Sequence, residues 1–526
     1  MNTSAKLQRL INNLNSGEVL NLNGEAFYLD KQIVIKNKKD IVIDGQGAII
    51  TTKFVNSADY SKSVDAFLIS DCEGIELKNI YLDTDVPTNI TATVKEILLE
   101  EKALILQADD IYNINGNEVL MSFNAIDNEG TPYRFNYYQK HSDPNVITLV
   151  QGEILLASTF AGAKYDYLGN NCFKVYFDVT SFGALEVGDR LCIRHTMYGP
   201  STIVIRNSNN TSLSNITMYA TAGMGIMVFP RCNNLTIDGL KMIKKEGSHS
   251  LMSCNCDGIH LTGLMGKFVM KNCVFDGIGD DALNIHTTAG TCTEVDLSNN
   301  KIKCNYCKKS AYGVLSKNWC AKGDTIKVFN PTNMQNTATF KVADYRDGYI
   351  TFQDLKGEIK PSYVMQNHTF AASCEITDCE IKNTRSRGFV IQTDNVEIKN
   401  SRFFGLANCA VKVACCFSYW YEVGPATNFY MHDNIIEKCA YIDVNSPGIG
   451  VFTKHDGNDE SILGLHNNIK INNNTFKRMR NNMITVSSSN NVQVCGNRFV
   501  GREEKEITAV KFISCKDVLE EDNLDI

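Results

Sequence analysis

A short β-rich phrase recurs along the second half of the chain: apolar, polar, apolar, a polar pair, then apolar again. It reads NNLTIDGLKM at 233–242, KFVMKNCVF at 267–275 and TEVDLSNNKI at 293–302. Later copies are CEITDCEI (374–381), NVEIKNSRFF (395–404), NIKINNNTF (468–476) and NVQVCGNRF (491–499). From Ile381 to Phe403 is 22 residues, and from Phe476 to Phe499 is 23. That period fits one turn of a right-handed parallel β-helix with three short strands. A propeller blade needs a longer period, and a leucine-rich repeat needs Leu at fixed offsets. Coils of this kind stack ~4.8 Å apart. Their inward residues form apolar columns, and Asn at a recurrent bend forms a hydrogen-bonded ladder. Asn272, Asn299, Asn400 and Asn473 sit at or near that bend in the repeat. The first coil leaves an open edge that needs a cover. An amphipathic helix carrying Leu7, Leu10, Ile11 and Leu14 on one face is the expected cap.

Two segments break the repeat, at 87–198 and 306–367, and their alternating strands and turn residues predict small antiparallel β-barrels inserted in loops of the helix. The expected fold is thus all-β: a parallel β-helix with an N-terminal capping helix and two inserted barrels. Residues 1–86 form the cap and first coils, 199–305 the middle coils and 368–526 the C-terminal coils.

Composition narrows the partners. A formal net charge of −7 disfavours nucleic acid and anionic membranes. No apolar run reaches the ~18 residues of a membrane span. Met1 to Leu20 has no apolar core of a signal peptide, which predicts a cytoplasmic chain. Its 19 cysteines are odd in number and irregularly spaced, so buried free thiols are expected rather than a disulfide framework. Cys304 and Cys307, and Cys254 and Cys256, lack a second ligand pair nearby, so neither metal nor other cofactor is expected.

The densest polar signal is CNCDGIHLTGLMGKFVMKNCVFDGIGDDALNIH at 254–286. Asp257 and Asp280 are 23 residues apart, one coil, which sets Asp257 against the Asp280–Asp281 pair on one face. Three carboxylates this close cannot all ionise freely, so at least one pKa rises. A protonated carboxyl beside ionised ones is the pairing that glycoside hydrolysis uses. DG and GDD also occur in plain polar turns, where Asp bonds its own backbone. Two such motifs in register, each followed by a histidine, favour function. His260 and His286 lie on the carboxylate coils, where they either fix a carboxylate or reach a sugar hydroxyl, or simply pack. Asn284 either bonds a hydroxyl or belongs to the Asn ladder.

The register resembles that of the polygalacturonases, although the GHG and RIK motifs of that family are missing. A closer resemblance is to glycoside hydrolase family 110, the α-1,3-galactosidases. It is carried by AGMGI (222–226), DGIH (257–260), GDDALNIH (279–286), RGFVIQT (387–393) and WYEVGP (420–425). The two interrupting segments match that family's inserted barrels. The resemblance implies an inverting, exo-acting enzyme that releases terminal α-linked galactose, and a homotrimer. It maps the catalytic carboxylates onto Asp257, Asp280 and Asp281, with Asp280 as acid and Asp257 plus Asp281 as base pair; the spacing leaves that division open. Trp420 is a candidate platform for the apolar face of galactose, with a core or insert contact as the alternative. Arg387 and Glu422 are candidate hydroxyl ligands, with surface ion pairing as the alternative. Inversion predicts ~6.5–9.5 Å between the Asp280 and Asp257 carboxyls. A calcium site is an alternative reading of so dense a carboxylate cluster. A polysaccharide lyase on the same fold would need calcium and a basic abstractor, and no Lys or Arg lies in 254–266 or in 272–286. A non-catalytic glycan-binding solenoid would use the carboxylates as acceptors only.

Overall fold

The computed structural model describes residues 2–55, 63–108, 165–176, 187–188, 190–194, 199–306, 319–417, 421–440, 446–453, 462, 464–479, 482–501 and 508–526. It also gives the backbone of four two-residue strands between 134 and 155. The solenoid is built as the repeat predicts. Each coil contributes three short parallel strands, and equivalent residues stack in columns. One inward column runs Ile33, Phe67, Ile203, Ile226, Ile259, Leu283, Phe389, Val411, Ile449, Ile484 and Val510, all buried. A second contains Ile237, Met270, Ile376, Ile398, Met431, Ile471 and Val494. A third contains Met242, Phe275, Ile381, Phe403, Ile436, Phe476 and Phe499. The counted pairs Ile381–Phe403 and Phe476–Phe499 are direct neighbours.

The bends are where asparagine acts. Asn272, Asn400 and Asn473 hold φ of 56°, 52° and 56°, the left-handed turn that Asn tolerates. The buried ladder is formed at an adjacent position, by Asn434, Asn474, Asn497 and Asn523, each amide donating to the next at 2.9 to 3.2 Å. Asn299 belongs elsewhere. It bonds Asp296 in the turn of an antiparallel hairpin, so TEVDLSNNKI is not a coil of the solenoid. Strand Leu283–Asp296 starts as a parallel coil strand and continues, from Gly290, as the first strand of that hairpin. It joins Lys301–Tyr306, Tyr349–Gly357, Asn336–Arg346, Thr325–Phe329 and Val364–Asn367 in a closed six-stranded antiparallel barrel. The earlier insertion forms, among the described residues, a seven-stranded antiparallel sheet.

Helix α1 (Ser4–Asn12) is capped by Thr3, whose side chain accepts the Lys6 amide. It buries Leu7 and Ile11 on the first coil, with Leu14 packed beside them and Leu10 partly exposed. Gln8 on this helix donates to the Val34 carbonyl and accepts the Val34 amide, both at 2.8 Å. The open edge is therefore paired by a side chain. The eighteen described cysteines are all unbridged, and most are buried.

Candidate active site

The site lies on the outer face of the sheet that contains Ile259–Thr262 and Leu283–His286. In that sheet Ile259 pairs with Leu283, so the register offset is 24 and not 23. His260 therefore stacks on Asn284, and Thr262 on His286. The same offset brings Asp257 beside Asp281, whose backbone amide donates to Asp257 Oδ1 at 3.1 Å. Gly279, just before the aspartate pair, is required by packing. A Cβ there would lie 2.4 Å from the Asn255 carbonyl oxygen.

Asp257 and Asp281 are buried, while the Asp280 side chain keeps 21% of its surface exposed. One oxygen each of Asp257 and Asp280 lie within 4.8 Å of one another. Burial, then the charge of Asp280, pushes the Asp257 carboxyl well above its usual range. Burial also raises Asp281, to about 7, against the opposing pull of Arg387.

Arginines from distant segments complete the cluster. Arg387 donates from its backbone amide at 3.2 Å and from Nε at 2.7 Å, both to Asp281 Oδ1. Its far end lies 3.9 Å from Asp280. Arg387 is thus a carboxylate partner inside the site, and not a surface ion pair. Arg385 donates to Asp280 Oδ1 at 3.3 Å and also to the Gly279 carbonyl. Arg194, on the last described strand of the first insertion, donates to the Asn255 carbonyl at 2.8 Å. The basic groups absent from 254–266 and 272–286 in sequence are therefore supplied in space by other coils and an insertion. All three are guanidiniums, which do not deprotonate and cannot abstract a proton.

Beside the carboxylates sits a histidine pair. His260 Nδ1 contacts Asp257 Oδ2 at 2.7 Å, and its Nε2 is 3.1 Å from His286 Nε2. His286 Nδ1 faces the Thr287 carbonyl at 2.7 Å, and Thr262 Oγ1 lies 3.2 Å from His286 Nε2. Burial lowers the pKa of both rings, that of His286 to about 4. Glu422 sits in strand Glu422–Val423, which crosses antiparallel to Thr287–Thr288. It accepts from Asn284 Nδ2 at 3.3 Å and from Gln392 Nε2 at 3.1 Å. The amide oxygens of Asn284 and Gln392 are buried with no hydrogen-bond partner among the described residues. Asn284 is thus a site residue outside the asparagine ladder.

The structure brings together Asp257, Asp280, Asp281, His260, His286, Asn284, Arg387 and Glu422. Trp420 and Cys307 lie outside the described residues. Sequence reasoning missed Arg194, Arg385 and Gln392. A usable signal existed for the last two, since both lie on the coil that also carries Arg387. Arg194 has none, because it comes from a segment outside the repeat. His260, His286 and Glu422 offer ligand atoms within 4.8 Å of one another, as do Cys256, Asp257 and Asp280. The second group suits a metal poorly, because burial and the two carboxylates keep the Cys256 thiol protonated.

No family model matches the chain. Among curated proteins, "Alpha-1,3-galactosidase A" of Bacteroides fragilis is 24% identical over 449 residues, covering 83% of this chain and 70% of that protein. "Alpha-1,3-galactosidase B" of Bacteroides thetaiotaomicron is 23% identical over 507 residues, covering 89% and 75%. The Shewanella woodyi "Alpha-1,3-galactosidase A" is 22% identical over 483 residues, covering 89% and 74%. Among solved structures, the Yersinia enterocolitica family 28 exopolygalacturonase aligns with a TM-score of 0.43 and 10% identity, covering 99% of this chain and 74% of that one. Over more than four-fifths of its length, then, this parallel β-helix resembles the α-1,3-galactosidases of glycoside hydrolase family 110.

Proposed function

We propose that the chain is an exo-acting glycoside hydrolase that removes terminal α-1,3-linked galactose with inversion. The observation that carries this reading is the aspartate trio, two members buried with one of them raised to about 7 and the third partly exposed, in a chain whose curated relatives are named alpha-1,3-galactosidases. Asp280, the most exposed carboxyl, is the acid that protonates the leaving oxygen. The base lies in the Asp257–Asp281 pair. Glu422 with its two amide donors binds hydroxyls of the galactose ring, and the histidines hold Asp257 in place. The exo reading is supported by strand Glu422–Val423 and the barrel that leaves the sheet at Gly290. Both adjoin the strand that carries Asn284 and His286, just past its parallel-paired residues, where an endo-acting enzyme needs an open groove.

The test is release of galactose from Galα1,3Gal, followed in wild type and Asp280→Asn. The variant is expected to lose ~10²–10⁴-fold in kcat, the usual worth of a general acid. Full activity in it removes Asp280 as acid.

Inversion, against the alternative of retention through a carboxylate nucleophile, has its own test. Proton NMR of the first-formed sugar separates the two. β-Galactose marks inversion and α-galactose marks retention.

A further inference from the structure

The hydrogen-bond chain from Asp257 through the two histidines has a fixed sense. It starts at the Thr287 carbonyl, which can only accept, so His286 Nδ1 carries a hydrogen. The buried His286 ring is neutral, so its Nε2 is a bare acceptor. His260 Nε2 faces that nitrogen at 3.1 Å, and two lone pairs do not face each other at such a distance. His260 Nε2 therefore carries a hydrogen as well. The Thr262 hydroxyl is a second donor to the same acceptor and does not alter the sense. What remains is His260 Nδ1 against Asp257 Oδ2, at 2.7 Å. That contact requires one proton, whether it rests on the carboxyl or on the ring. A second proton would leave a buried imidazolium beside a neutral acid, which burial opposes.

The other oxygen of Asp257 is occupied by the Asp281 amide. Asp281 differs. Its Oδ1 takes both Arg387 contacts, and its Oδ2 accepts no hydrogen bond among the described residues. The charged and titratable groups facing the Asp257–His260 pair are Asp280, Asp281, Glu422, Arg387, His286 and the Cys254 and Cys256 thiols. With Asp280 protonated as the acid, Asp281 and Glu422 are two carboxylates against the one Arg387 guanidinium, so the surroundings favour the pair keeping its proton.

We infer that Asp257 is a positioning residue that shares one proton with His260, and that Asp281 alone is the base of the hydrolysis. This rests on the glycosidase reading above. In the reaction, the water oxygen bonds the anomeric carbon as the glycosidic bond breaks. The water proton passes to Asp281 Oδ2, and the Asp280 proton passes to the leaving oxygen. The Asp257–His260 pair ends with the proton it began with.

The experiment compares Asp257→Asn, Asp257→Ala and Asp281→Asn on 4-nitrophenyl α-galactoside across pH, with folding checked by circular dichroism. The Asn amide can donate to His260 Nδ1 as the carboxylic acid does, and accept from the Asp281 amide. Asp257→Asn is expected to lose about tenfold in kcat, the scale of one weakened hydrogen bond, with KM and the acid limb of kcat/KM in place. Asp257→Ala should lose ~100-fold, and Asp281→Asn ~10³-fold or more. A folded Asp257→Asn as inactive as Asp281→Asn overturns the inference. Nitrogen-15 NMR of the wild-type histidines tests it without turnover or any variant. The expected result is His286 in the Nδ1–H form from pH 5 to 8 and His260 with a hydrogen on Nε2. An Nε2–H form of His286, or its titration above pH 6, overturns the inference. If no galactoside is cleaved while the NMR result holds, the glycosidase reading fails and the shared proton stands.

Discussion

Arg387 reaches Asp281 from the next coil and opposes the rise that burial imposes on its carboxyl. Arg387→Lys removes the guanidinium Nε donor and leaves the backbone amide bond to the same oxygen in place. The Asp281 pKa then rises further, and the base stays protonated to higher pH. The acid limb of kcat/KM should move to more alkaline pH, read from a pH–rate profile. His286 gives a stability prediction. Its pKa falls from 6.5 to about 4 on folding, so below pH 6.5 the unfolded chain binds a proton that the native ring refuses. The stability from that neutral ring is present above pH 6.5 and is lost as pH falls toward 4. Thermal unfolding at a series of pH values should show wild type falling more steeply than His286→Gln across that window. At this scale the sequence was informative where the motif stayed within one period. Asp257, His260, Asp280, Asp281 and His286 were found because one coil separates them. Arg385 and Arg194 were not, because 106 and 61 residues separate them from the Gly279 and Asn255 carbonyls they hold.

Helix α1 and the coil at Lys516–Asp525 meet the apolar columns by different physics. Leu7→Ala in α1 should cost ~2–5 kcal/mol, a buried large-to-small change. Gln8→Ala should cost less in denaturant midpoint but leave the Val34 backbone unpaired and promote self-association, seen by size-exclusion chromatography. In the coil at Lys516–Asp525, Glu520 pairs with Val494 and Asp525 with Phe499, so two of the apolar columns meet carboxylates there. Charge on an edge strand discourages further pairing. The helix was legible from its apolar face. TEVDLSNNKI was misleading because alternation marks a strand without saying whether its neighbour is parallel or antiparallel. Only the partner decides, and here the partner is Lys301–Tyr306.

For the molecule as a whole, stability is a sum over neighbouring coils, so the ends should open before the centre. Hydrogen exchange should find Lys516–Glu521, whose residues are all exposed, far less protected than Ile259–Thr262, whose residues are all buried. Uniform protection would mean one cooperative unit. The barrel inserted after Leu283–His286 has a further consequence. The chain leaves the solenoid there and returns at Ser373–Thr377, yet Leu283 lies directly against Phe389. Backbone cleavage within the barrel would put all three aspartates on one fragment and Arg385 with Arg387 on the other. Neither piece would hold an assembled centre. Recovered turnover on mixing the two would count the docked pairs, making the enzyme a reporter of its own fragment complementation.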